Sequence, residues 1–137
     1  MIIRKSQAEI EGMARAGELV RETLQLVADH LEPGVSMLEL DRIADEHIAE
    51  RGGYPTSKGY KGFPNALCIS PNSMVVHGIP NGYRAQEGDV ISVDLGVTLL
   101  ELGRCGEAMQ YLEVSRSLEP QRHEVHDALK DARHCSD

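Results

Sequence analysis

Apolar and small residues after Ser6 fall at Ile10, Met13, Gly17, Val20, Leu24, Val27 and Leu31. The steps alternate three and four, which traces one stripe along a helix of about seven turns. Ser6 and Glu9 have the S-x-x-E form of a capping box, in which each side chain satisfies the other's orphan backbone N–H. "EPG" at 32–34 ends that helix, and a second S-x-x-E, Ser36 to Glu39, opens another. Leu40, Ile43, Ala44 and Ile48 form its apolar face, and Gly52-Gly53 is the stop.

From Tyr54 the helical period disappears. Most of the prolines and many of the glycines lie between 54 and 97, around short β-rich runs at Ala66–Ser70, Ser73–His77 and Val90–Val97. Strands separated by Pro, Asn and Gly turns predict an antiparallel sheet. Two amphipathic helices followed by such a sheet make an α+β layer arrangement. After Leu99 the β signal ends. The remaining residues suit one helix from about Cys105 to Leu118, a break at Pro120, and a shorter helix from about His123 to Ala132. The chain therefore divides at 1–99 and 100–137, with the seam between Val97 and Gly103 and no Ser/Gly linker across it.

Composition narrows the function classes. At 137 residues the chain holds one domain and little more. A net charge of −8 argues against nucleic acid or an anionic membrane as the main partner. The acidity is spread evenly, with 14 Asp and Glu against 9 Lys and Arg before residue 100 and 8 against 5 after it, so no acidic tail stands apart. Aromatics make up 4%, so the core must rest on Leu, Ile, Val, Ala and Met. Cys68, Cys105 and Cys135 are widely spaced and odd in number, which reads as reduced thiols. No run has signal-peptide or membrane-span length, so the expected compartment is the cytoplasm.

Three places carry candidate chemistry. In "VISVDLGV", Ile91, Val93, Leu95 and Val97 share one strand face, and Val90, Ser92, Asp94 and Gly96 the other. A mid-strand carboxylate left buried and unpaired would cost on the order of several kcal/mol. Asp94 is therefore either a ligand with a partner or a solvated or salt-bridged edge residue. In "VVHGIPNG", Val75 and Val76 deliver His77 to the end of a strand, where Gly78 and Pro80 fix the turn. That position suits proton transfer or hydrogen bonding to a substrate, though a histidine there is more often structural. In "SKGYKGFPNALCIS", Tyr60, Phe63 and Cys68 with Gly59 and Gly62 can line a compact apolar pocket, though on these residues alone simple sheet packing is the favoured explanation. His30 suits its helix C-terminus, and His47 reads as a surface or partly packed helix residue.

Together, "GYKGFPNALCIS", "VVHGIP" and "EGDVISVDLGV", in this order and at these separations, closely resemble type I methionine aminopeptidases. The resemblance covers residues 1 to about 99. It implies half of a pita-bread fold of the creatinase and aminopeptidase kind, an antiparallel sheet with two covering helices. It also implies removal of the N-terminal methionine of nascent peptides by a pair of divalent metal ions, Co, Mn, Fe or Zn. By the same resemblance His77 matches a substrate-contacting, proton-shuttling histidine, and Asp94 matches the first metal-binding aspartate. Tyr60, Phe63 and Cys68 match the methionine side-chain pocket, with Ser57 at a variable position there. Two metals held by hard carboxylates activate water and polarise the scissile carbonyl, while an apolar pocket accepts the thioether.

The resemblance also implies what does not follow. Family spacing places a second, bridging aspartate at Cys105, and a later histidine and two glutamates belong to the other half of the fold. One carboxylate does not hold a hydrated divalent ion, and His123, His126, His134 and Cys135 do not form a matching set. The expectation is a protein inactive on its own, with an unsatisfied sheet edge at Val90–Leu99 that favours association. The tail "GRCGEAMQYLEVSRSLEPQRHEVHDALKDA" resembles a tetratricopeptide segment forming a short helical hairpin, with Ala108, Leu112, Leu118 and Pro120 on the pattern. It leaves two alternatives open: a non-catalytic module that binds a protein partner through 100–137, or a chimeric gene product without function.

Overall fold

The computed structural model describes residues 4–99. The domain assigned to 100–137, with its helical hairpin, Cys105 and the distal histidines, lies outside the described residues. Helix α1 spans Gln7–His30 and α2 spans Met37–Glu50. Four short strands follow: β1 at Gly53–Pro55, β2 at Cys68–Pro71, β3 at Ile91–Asp94 and β4 at Val97–Leu99, with a 3-10 turn at Tyr60–Gly62 between the first two.

The helix starts form as their sequences require. At Ser6 both halves of the capping box are present. At Ser36 only one forms, since the side chain accepts from the Glu39 N–H. The Glu39 carboxylate is taken instead by Arg42, whose guanidinium also reaches Glu46. Along α1 the expected stripe is corrected at its N-terminal end. Ile10 and Met13 are exposed, and burial begins only at Leu19, Thr23 and Val27. Only the C-terminal half of α1 meets α2 and the sheets, so an apolar period alone does not settle which turns are covered. Thr23, polar but buried, donates its hydroxyl to the Leu19 carbonyl at 2.7 Å.

The core lies between α2 and the sheet. Val27, Met37, Leu40, Ala44, Leu67, Ile69 and Ala85 form it, with Ile91, Val93 and Leu95 packed against them. Leu40 is fully buried there, and truncation to alanine would remove about 2–5 kcal/mol. Met37, Leu40, Ala44 and Ile48 supply the inner face of α2, together with Asp41, which is buried among them.

The sheet differs from the single one expected. β1 pairs antiparallel with β4, and β2 pairs antiparallel with β3, as two separate two-stranded ladders. The run Val90–Val97 is divided at Leu95–Gly96, where the chain leaves one ladder for the other. The Gly96 carbonyl accepts from the Thr56 N–H at 2.9 Å, and a Cβ on Gly96 would collide with the Thr56 hydroxyl. The expected strand Ser73–His77 does not form: these residues are turn and loop, and His77 has φ 55°, in the left-handed region. Met74 N–H bonds the Pro71 carbonyl at 3.1 Å, a turn that ends the ladder before Val75 and Val76 can extend it.

The histidines in the helices have local roles. His30 Nδ1 lies 2.8 Å from the Leu26 carbonyl in the last turn of α1. His47 is partly packed, its Nε2 3.9 Å from the Glu22 carboxylate that Arg51 also engages.

Candidate functional site

The β2–β3 ladder places the candidate residues. Its register pairs Cys68 with Asp94, Ile69 with Val93, and Ser70 with Ser92. Side chains directly opposite one another project to the same face. Ile69 and Val93 point into the core, so Cys68, Ser70, Ser92 and Asp94 occupy the face turned away from α2. Asp94 is exposed, in line with the solvated edge residue that is one of its two readings. Burial pushes the Cys68 thiol above its usual range, and the carboxylates of Asp94 and Asp41 push it the same way.

The loop carrying His77 runs along the opposite edge of β2. Ile69 directs its N–H to the Gly78 carbonyl at 2.9 Å, and Gly78 N–H donates to the buried Ser70 hydroxyl at 3.0 Å. A Cβ at Gly78 would strike the Ile69 carbonyl and the Met74 sulfur. Only glycine permits this approach, so the glycine after His77 is needed for contact with β2. β2 thus stands between β3, with Asp94, and the His77–Gly78 segment. His77 itself is exposed.

The pocket residues sit on the loop between β1 and β2. Ser57 Oγ donates to the Ala66 carbonyl at 2.5 Å, which ties the two legs of the loop together. Gly59 N–H bonds the Phe63 carbonyl at 2.8 Å and closes the tip. Gly59, Lys61 and Gly62 all take left-handed backbone, with φ of 87°, 48° and 81°. Tyr60 is 64% exposed with Lys61 over its ring at 5.5 Å, and Phe63 and Cys68 are half-buried. The described residues therefore leave the Tyr60 ring largely open to solvent.

Two functional-looking carboxylates escaped the sequence reading. Asp41, 8% exposed on α2, accepts from Leu67 N–H at 2.8 Å and from Asn65 Nδ2 at 2.6 Å. Asp89 accepts from Asn72 Nδ2, Gln86 N–H and the Tyr83 hydroxyl, at 2.8–2.9 Å. Those donors, Asn72 first, hold its carboxyl below the usual aspartate range. In hindsight only its place in "EGD", before a strand, could have flagged Asp89 as a turn-capping residue. Nothing local marks Asp41, whose partners lie more than twenty residues away.

Among the described residues no three His, Cys, Asp or Glu side chains stand close enough to hold a metal ion. Asp94 offers one carboxylate, so the described residues do not by themselves fit a two-metal centre. Among the same residues no helix is long and apolar enough to cross a membrane.

Comparison with known proteins adds the relationship. The sequence is 48% identical to the methionine aminopeptidase of Clostridium perfringens over 99 residues, 72% of this chain and 40% of that protein. The crystal structure of methionine aminopeptidase from Rickettsia prowazekii is similar with a TM-score of 0.69 at 35% identity, over 71% of this chain and 39% of that one. The enzyme structure from Thermotoga maritima gives a TM-score of 0.69 at 36% identity, over 73% and 41%. The described residues thus share the pita-bread architecture of the matching part of those enzymes, and the chain spans about 40% of the length of the curated relatives it matches. The match to metallopeptidase family M24 is longer and covers residues 11–135, across the seam drawn at Leu99. By that match, the chain belongs to metallopeptidase family M24.

Proposed function

We propose that this chain carries the substrate-selecting part of a methionine aminopeptidase and is catalytically inactive alone. The observation that carries the reading is the face of the β2–β3 ladder turned away from α2. Asp94 and Cys68 lie opposite each other there, and the His77–Gly78 segment bonds the other edge of β2. In this reading Tyr60, Phe63, Cys68 and Ser57 receive the N-terminal methionine side chain of a nascent peptide in the cytoplasm. His77 hydrogen-bonds the peptide and shuttles a proton. Asp94 supplies one carboxylate toward a divalent ion, which a single carboxylate does not hold against water. Selection of the thioether is thus the role of these residues, and hydrolysis requires ligands they do not supply.

The reading is tested by two measurements on the purified chain. The first incubates it with a Met-Ala-Ser peptide and Mn(II) or Co(II); methionine release no greater than a metal-only blank is expected. The second follows backbone NMR shifts during titration with L-methioninamide; shifts at Tyr60, Phe63 and Cys68 are expected. Turnover well above the blank would overturn the inactive half of the proposal, and a titration that moves none of those residues would overturn the selecting half.

A further inference from the structure

The tip that carries Tyr60 and Phe63 stands largely in solvent, so the hydrophobic core does not fix its shape. Its left-handed residues include Lys61, a side-chain-bearing residue at φ 48°, a conformation that persists only where surrounding contacts enforce it. The contacts converge on α2. Asp45 Oδ2 accepts from Lys58 Nζ at 2.7 Å, on the leg entering the tip. Asp41 accepts from Asn65 Nδ2 and Leu67 N–H, on the leg leaving it. The two carboxylates are four residues apart, one turn on the same helix face. Between them Ser57 bonds Ala66 across the legs, and Gly59 bonds Phe63 to close the tip.

We propose that Asp41 and Asp45 are positioning residues for the side-chain pocket, clamping both legs of the 57–67 loop to α2. This rests on the pocket assigned above. The clamp sets how far apart Tyr60 and Phe63 stand from Cys68, and hence whether the site prefers an unbranched thioether to a branched aliphatic side chain. Asp41 is buried and bonded through both oxygens, so its loss also reaches the core. Asp45 is about one-third exposed, and its removal acts on the loop alone.

The test uses the full chain, with L-methioninamide and L-leucinamide as probes in NMR titrations, and amide exchange at Gly59, Phe63 and Leu67 as a loop readout. Asp45→Asn and Asn65→Ala are the main variants, because Asp41→Asn would also disturb the buried core. Each is expected to weaken methioninamide binding and narrow the methionine-over-leucine preference by about 3- to 10-fold, with faster exchange at the loop amides. The exchanged pair Asp45→Lys with Lys58→Asp is expected to restore both, which a loss of general stability would not allow. If the unaltered chain binds neither amide, the pocket reading falls and this proposal with it. If it binds and the variants keep the same affinity and preference, only the positioning role is overturned.

Discussion

Cys68 and Asp94 face each other across the β2–β3 ladder, on the side of the sheet turned away from the helices. Burial comes first among the influences that raise the Cys68 thiol above its usual range, and the Asp94 carboxylate follows. The thiolate is the reactive form, so Cys68 should alkylate slowly near neutral pH. In a chain with Cys105 and Cys135 changed to serine, Asp94→Asn should speed iodoacetamide labelling at pH 8 by about 2- to 5-fold. The two proteins should label alike at pH high enough to ionise both thiols. Equal rates at every pH would mean that the two side chains do not sense each other.

Two glycines should respond to alanine in opposite directions. A Cβ at Gly78 meets the Ile69 carbonyl, and the same glycine holds the His77 loop against β2. Gly78→Ala should lose about 1–3 kcal/mol, the range of forced overpacking. Gly17 lies within α1 with nothing near its missing Cβ. Gly17→Ala should gain about 0.5–1 kcal/mol from helix propensity. Urea unfolding followed by far-UV circular dichroism measures both, and a shift of the same sign in the two variants would refute the difference.

Helices and their caps were legible in the sequence because their causes are local. Ser6 and Glu9 are three residues apart, and they bond as that spacing requires. The α+β order and the alternation through Ile91–Asp94 were legible for the same reason. The His77 segment was not. Val75 and Val76 have strand propensity, but 83% of Val75 is exposed and the turn at Pro71–Met74 removes any ladder for it to join. Propensity could not reveal that the contact here is backbone to backbone, through a glycine. Asp41 was missed because its partners, Asn65 and Leu67, are brought near only by the packing of β2 on α2. Asp94 was found by motif and its face by alternation, while its exposure depends on what covers the sheet, which is a tertiary matter.

Asp89 makes the fold sensitive to acid. Its carboxyl lies below the usual aspartate value because Asn72, Gln86 and Tyr83 donate to the charged form. A depressed folded-state value stabilises the fold above the unfolded value, near about 3.9, and the gain is lost as pH falls through the lower folded value. Asp89→Asn should therefore lower the urea midpoint at pH 7. The gap from the unaltered chain should close as the pH falls through the lowered folded-state value. A gap that persists at that pH would show that Asp89 acts by shape and not by charge.

The other edge of the ladders sets the last expectation. β3 pairs only with β2, and β4 only with β1, among the described residues. Among the described residues each therefore presents a row of backbone groups on its second side, and such rows template pairing with another chain. Val90, just before β3, is exposed. Light scattering over a concentration series should show association that grows with protein concentration. A lysine at an exposed edge position resists strand pairing, so Ser92→Lys, on the solvent face of β3, should lower the associated fraction without changing the circular dichroism spectrum. A monomer at every concentration, in the unaltered chain, would mean that the edge is already covered.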